Sequence, residues 1–234
     1  MSRRDFSAAG LAAAYRAYRA YAAYTAYTAY AACAACAVYS GRLHAGAAAP
    51  VILVVGDSLS AEYGLRRGSG WVALLAGRLA REKIPANVVN ASISGDTTSG
   101  GRSRLPALLK QHSPAVVVIE LGGNDALRGL PLGMTEDNLL HMIDDARKAG
   151  ARVLLVGMQV PPNYGPDYAR RFAAVFERVA RERKTALVPF LLAGVADAPD
   201  AERLFQPDRI HPDAAAHPRM LDNVWPELRK LVKK

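Results

Sequence analysis

From Pro50 onward, apolar and polar positions fall into alternating blocks. Val51–Val55 is an unbroken aliphatic run, the pattern of a strand covered on both faces. Trp71–Lys83 has apolar residues at 71, 72, 74, 75 and 79, which is helical spacing. Asn87–Ile93 reads as a second strand and Ser103–Gln111 as a helix with Pro106 in its first turn. Ala115–Leu121 is the third strand and the most β-branched. The stretch from Thr135 to Ala149 opens on Thr-Glu-Asp-Asn, a cap with an acidic first turn, and stops at Gly150. Arg152–Met158 is a fourth strand, Asp167–Lys184 an amphipathic helix and Ala186–Phe190 a fifth strand. Asp213–Val232 closes the chain as a helix interrupted at Pro218 and Pro226.

Five aliphatic strands joined by helical crossovers predict an α/β fold: a parallel sheet with helices on both faces. Ligands of such sheets bind outside the carboxyl ends of the strands. The polar clusters of this chain fall at those ends. Gly56-Asp57-Ser58 follows the first strand, Ser94-Gly95-Asp96 the second, Gly122-Gly123-Asn124-Asp125 the third, and Asp208–His211 the fifth. Four loops therefore converge on one edge.

The first 49 residues are of another kind. Ser2-Arg3-Arg4-Asp5-Phe6 resembles a twin-arginine export signal. Tyrosines then recur at 15, 18, 21, 24, 27 and 30, and no charge occurs from Ala20 to Gly41. Ala47-Ala48-Ala49 before Pro50 offers the small residues of a cleavage site. A cleaved export leader, placing the mature domain in the periplasm or outside the cell, competes with a membrane anchor and with a slipped repeat of no function. Ala, Thr and Tyr are only mildly apolar, which disfavours stable insertion. A three-residue step also winds the tyrosines around a helix axis instead of forming a stripe. The expected organisation is a leader over 1–49 and one folded domain over 50–234.

Charge and cysteine content narrow the function. Residues 1–49 hold +4 of the net +9, leaving +5 on the domain, with no run of four Lys or Arg. That is a solvated basic surface, not a nucleic-acid footprint. Cys33 and Cys36 both lie in the leader, so the domain has no disulfide or thiolate metal site. Neither Gly-x-Gly-x-x-Gly nor a phosphate-binding Gly-x-x-x-x-Gly-Lys-Ser/Thr occurs, which disfavours a nucleotide binder. Gly-x-Ser-x-Gly is absent around Ser58, and five scattered histidines are too few for a metal hydrolase.

Serine at a strand-to-helix turn presents its hydroxyl at the sheet edge, where the N–H groups of the following helix also point. Ser58 fits this description, and Ser60 is a rival two residues farther on. A serine nucleophile needs a general base and a carboxylate to orient it. His211 and Asp208, three residues apart, can share one face of a turn. Asp213 suits a helix cap better, and His44, His112, His141 and His217 lack such a context. Acyl transfer also needs donors for the oxyanion, and Gly95 N–H and the Asn124 amide are candidates.

The segments GDSLS (56–60), SGDTT (94–98), ELGGNDALRGLPL (120–132) and PDRIHP (207–212) resemble, in order, the four blocks of the SGNH, or GDSL, hydrolases. MQVPPNYGPDY (158–168) is similar to the bacterial thioesterase I/lysophospholipase/arylesterase branch. The resemblance implies Ser58 as nucleophile with Asp208 and His211, and an oxyanion hole of Ser58 N–H, Gly95 N–H and the Asn124 amide. It implies a flavodoxin-like three-layer α/β/α fold with a five-stranded parallel sheet, no cofactor and no metal. A monomer hydrolysing small-molecule acyl esters or thioesters through an acyl-enzyme is expected, with no nucleic-acid partner and no membrane span in the mature domain. Leu127, Leu130 and Pro161 are expected to line an acyl groove. A catalytically silent ligand binder of the same fold is the alternative. Arg209, between the two triad residues, departs from the small residue usual there.

Overall fold

The computed structural model describes residues 18, 19, 21 and 49–233. The chain divides into two units, Met1–Ala48 and Ala49–Lys234. In the first, residues 18, 19 and 21 are helical, and the leader reading otherwise lies outside the described residues, Cys33 and Cys36 included. No helix among the described residues is long and apolar enough to cross a membrane.

The second unit alternates strand and helix. Its strands are β1 (Val51–Gly56), β2 (Asn87–Asn90), β3 (Val116–Glu120), β4 (Arg152–Val156) and β5 (Ala186–Val188). Its helices are α1 (Trp71–Arg81), α2 (Thr98–His112), α3 (Gly123–Leu127), α4 (Leu132–Lys148), α5 (Pro166–Glu182) and α6 (His217–Val232). All pairings are parallel, in the order β2-β1-β3-β4-β5. This is the flavodoxin-like doubly wound order, with its switch point between β1 and β3. Helices α1 and α6 pack together on one side, and α2, α4 and α5 form a second layer. The predicted three-layer architecture is present.

The strands' composition accounts for their places. β3 is buried at every residue and β1 at all but Val51, so their aliphatic runs need no alternation. The edge strands β2 and β5 are shorter and half-covered. Helix α5 buries Phe172, Val175, Phe176 and Val179, an i, i+3, i+4, i+7 stripe. Each such side chain contributes about 1.5–3 kcal/mol of transfer free energy.

Several boundaries differ from the sequence reading, for physical reasons. Helix α2 begins at Thr98, not Ser103, because the Thr97 hydroxyl caps it by accepting from Gly100 N–H at 3.3 Å. Glycines 100 and 101 are helical despite their propensity. A Cβ on Gly101 would lie 2.2 Å from Leu121 Cδ1, so the glycine admits close packing onto β3. Pro106 is consequently mid-helix. Helix α4 starts at Leu132 behind Pro131, and Thr135 is no cap: its hydroxyl donates to buried Asp125 at 3.3 Å. A 3-10 turn, Ala214–Ala216, precedes α6 and is capped by Asp213. Strands β2, β4 and β5 stop two or three residues short of the sequence reading.

Candidate active site

The four polar loops lie at the carboxyl ends of their strands. Ser58 and Asn124 follow β1 and β3, the strands on either side of the switch point. No helix begins directly after Ser58, contrary to expectation. Residues 57–64 turn instead, with Ala61 N–H donating to Asp57 O (2.9 Å) and Tyr63 N–H to Ser58 O (3.4 Å). Left-handed φ values at Glu62 (60°) and Gly64 (71°) stop the turn from propagating, and α1 begins only at Trp71. The Glu62 carboxylate accepts Gly68 and Gly70 N–H and so closes the connecting loop.

Ser58 Oγ lies 2.9 Å from His211 Nε2, across 153 residues of sequence. His211 Nδ1 lies 2.7 Å from Asp208 Oδ2. The other oxygen, Asp208 Oδ1, accepts Ile210 N–H at 2.9 Å and His211 N–H at 3.0 Å. These backbone hydrogen bonds to His211 first, with its side chain and Ile210 N–H, hold the Asp208 carboxyl down at about 2. It is thus a carboxylate at any physiological pH and fixes the imidazole with its Nε2 lone pair toward Ser58. The Tyr63 ring packs against the imidazole, ring centroids 4.3 Å apart and planes tilted by 37°. Arg209 sits at φ 58°, a left-handed conformation that penalises a Cβ, which explains why a small residue suits that position.

The rival Ser60 is buried and committed. Its hydroxyl accepts from Trp71 Nε1 at 3.1 Å and donates to Glu120 Oε2 at 2.6 Å. His217 is also buried, and its Nδ1 accepts Trp71 N–H at 3.0 Å, a satisfied core histidine.

Two peptide N–H groups, of Ser58 and Gly95, are donated to no protein acceptor among the described residues. Gly95 is the third residue of a turn closed by Asp96 N–H to Ile93 O at 3.1 Å, and its φ of 79° is the value a type II turn requires there. Asn124 is the second residue of the short helix α3, where the sequence predicts a loop. Its Nδ2 donates to Asp57 Oδ2 (3.1 Å) and to Asp96 O (2.9 Å). Its amide is therefore tied to both flanking loops and must share a proton with any oxyanion.

Three further residues support these groups; Asp57 and Glu120 lie within the GDSLS and ELGGNDALRGLPL segments, but the sequence predicts no role for any of the three. Asp57 is 2% exposed, accepts Leu59 N–H and the Asn124 amide, and its carboxyl is pushed up to about 6. Burial is the main cause and nearby Asp96 adds to it; the hydrogen bonds and His211 work against it. Glu120 ends β3 fully buried, and burial and then Asp57 hold its carboxyl well above the ordinary range. Its Oε1 has no hydrogen-bond partner among the described residues. The one available hint was an acid ending the most aliphatic strand. Gln206 is the third, and its position just before Pro207 is unremarkable in sequence.

Of the expected groove residues, Leu127 is exposed at the end of α3, Leu130 is half-buried in the following turn, and Pro161 is exposed ahead of the 3-10 turn Pro162–Tyr164. Among the described residues no cluster of three or more His, Cys, Asp or Glu could hold a metal ion.

Residues 54–219 match the model of the GDSL-like Lipase/Acylhydrolase family. Over 186 residues the chain is 56% identical to Esterase TesA of Pseudomonas aeruginosa, covering 80% of this chain and 91% of that protein. It is 42% identical over 186 residues to Thioesterase 1/protease 1/lysophospholipase L1 of Escherichia coli K12, covering 80% and 86%. The crystal structure of the psychrotrophic esterase EstA from Pseudoalteromonas sp., inhibited by monoethylphosphonate, is similar at TM-score 0.73 and 37% identity, covering 79% of this chain and 99% of that one.

Proposed function

The chain belongs to the GDSL-like lipase/acylhydrolase family and is a serine hydrolase; from that premise we propose that Ser58 is its nucleophile, with His211 as general base and Asp208 as the carboxylate that orients it. One observation carries the proposal: the unbroken line from Ser58 Oγ through His211 to Asp208, at 2.9 and 2.7 Å. Attack of Oγ on an acyl carbonyl passes the hydroxyl proton to His211 Nε2. The tetrahedral oxyanion is held by Ser58 N–H, Gly95 N–H and the Asn124 amide, each donor worth roughly 10²–10³ in turnover. Collapse expels the alcohol or thiol, protonated by His211, and leaves an acyl-Ser58 ester. Water, deprotonated by the same imidazole, then hydrolyses that ester.

The substrate reading rests on the rim. The exposed large apolar side chains of the domain are Tyr63, Ile93, Leu127, Met134 and Ile210. All but Met134 belong to the loops that carry Ser58, Gly95 or His211, or to the short helix α3 that carries Asn124. Apolar rims of this kind favour an acyl or aryl group over a sugar, and Leu127, Leu130 and Pro161 are its proposed contacts. Residues 1–49 act as an export leader in this reading, residues 50–234 as the hydrolase domain, and the mature enzyme works in the periplasm or outside the cell as a monomer.

Turnover of a chain-length series of p-nitrophenyl esters and acyl-CoA thioesters, by wild type and Ser58→Ala, tests the assignment. Ser58→Ala is expected to lose all measurable turnover while keeping its unfolding midpoint. Turnover surviving in that variant refutes the nucleophile.

A further inference from the structure

The two halves of the proposed triad come from opposite ends of the domain, and something must hold them at bonding distance. Between the serine segment, 57–64, and the histidine segment, 204–213, the described hydrogen bonds are two. One is Ser58–His211 itself. The other comes from Gln206, whose Nε2 donates to Tyr63 O at 2.8 Å.

The same Nε2 donates to Pro212 O at 3.1 Å, on the residue directly after His211. The two protons of one amide thus bridge a carbonyl on the serine side and a carbonyl on the histidine side. The backbone of Gln206 is equally tied in: its N–H donates to His211 O at 2.8 Å and its carbonyl accepts Arg209 N–H at 2.9 Å. An isolated bridge, Phe205 to Pro212, closes the base of this loop. Gly64 makes room for the arrangement. A Cβ there would lie 2.0 Å from Gln206 Oε1.

We propose that Gln206 is a positioning residue that sets the Ser58–His211 distance by clamping the Tyr63 and Pro212 carbonyls together. Its amide donates to backbone carbonyls and not to the Ser58 hydroxyl or the His211 ring, so it acts through the placement of His211. The inference rests on the proposed roles of Ser58 and His211. The residue whose carbonyl Gln206 grips is also the one whose ring packs, tilted by 37°, against the His211 imidazole. A misplacement of the reacting groups by about 1 Å costs on the order of 10²-fold in rate.

Gln206→Met keeps the length of the side chain and removes both donors. Gln206→Glu keeps the shape of the side chain and replaces both donors with acceptors. Each is measured on p-nitrophenyl esters, alone and combined with His211→Ala, beside the thermal unfolding midpoint. The expected result for either variant is a fall in kcat of roughly 10- to 100-fold at nearly unchanged KM, with no further fall in the His211→Ala background. Should Gln206→Met not fold, Gln206→Glu carries the same test. A kcat within twofold of wild type, or an equal fold-loss with and without His211, overturns the clamp. Failure of the nucleophile assignment is distinguishable, since it appears as activity in Ser58→Ala whatever Gln206 does.

Discussion

Asp57 stands beside the nucleophile as a buried carboxyl, and its ionisation has a predictable consequence for stability. Its folded value is about 6 against an ordinary 3.8. Below 3.8 the group is protonated in both folded and unfolded chains and has no effect. As pH rises from 3.8 to about 6, the unfolded chain has released the proton while the folded one keeps it, so stability falls. Above about 6 the loss is complete. At about 1.4 kcal/mol per unit, this separation corresponds to about 3 kcal/mol. Asp57→Asn removes the titration and keeps the shape. It also loses one acceptor for Leu59 N–H or the Asn124 amide, a pH-independent offset of about 1 kcal/mol. The readout is therefore the slope: urea unfolding of wild type and variant from pH 4 to pH 8, with the two curves subtracted so that other titrating groups cancel. The variant is expected to gain about 2 kcal/mol on wild type across that range, since part of the loss is already present at pH 4, just above the unfolded value of 3.8. Relief of the repulsion that Asp57 exerts on Glu120 acts in the same direction. A difference constant within about 0.5 kcal/mol would falsify the claim that a desolvated charge lies behind Ser58.

Two other outcomes follow from the same geometry. Asn124→Ala is expected to lower kcat about 10²–10³-fold with KM little changed; a change confined to KM in steady-state assays counts against an oxyanion role. A chain lacking residues 1–49 is expected to fold and to hydrolyse p-nitrophenyl esters at the full-length rate, since the domain's core lies within Ile52–Leu228; loss of cooperative unfolding in circular dichroism refutes the division.

How much of this was legible depends on the range of the interaction. The central strands were, because a strand covered on both faces must be aliphatic, and β1 and β3 are so up to their last residues, Gly56 and Glu120. The serine, histidine, aspartate and asparagine were legible as residue types at strand ends, since the parallel order brings those ends to one edge. Helix starts were less so. The glycines at 100 and 101 argue locally against a helix, and only the approach of Leu121 explains them. Likewise Ser58 was expected before a helix, but the left-handed backbone at Glu62 answers to Gly68 and Gly70, six and eight residues downstream.

What no local pattern could disclose is the support behind the reacting groups. Glu120 and Ser60 are 60 residues apart, Asp57 and Asn124 67 apart, Gln206 and Tyr63 143 apart. Each pair is unexceptional in its own segment, and its meaning arises only when the sheet order brings the segments together. The direction of the cost is the same in every case. Burying Asp57 and Glu120 raises both carboxyls, which weakens folding at neutral pH, yet Asp57 is one of the two acceptors that hold the Asn124 amide. A core built for stability alone would place apolar residues at both positions. Their presence behind Ser58 is understandable if the amide's orientation matters more than the lost stability, and that makes Asp57 and Asn124 a coupled pair. Their substitutions should be strongly non-additive in kcat, because once the amide has lost its anchor, removing it costs less.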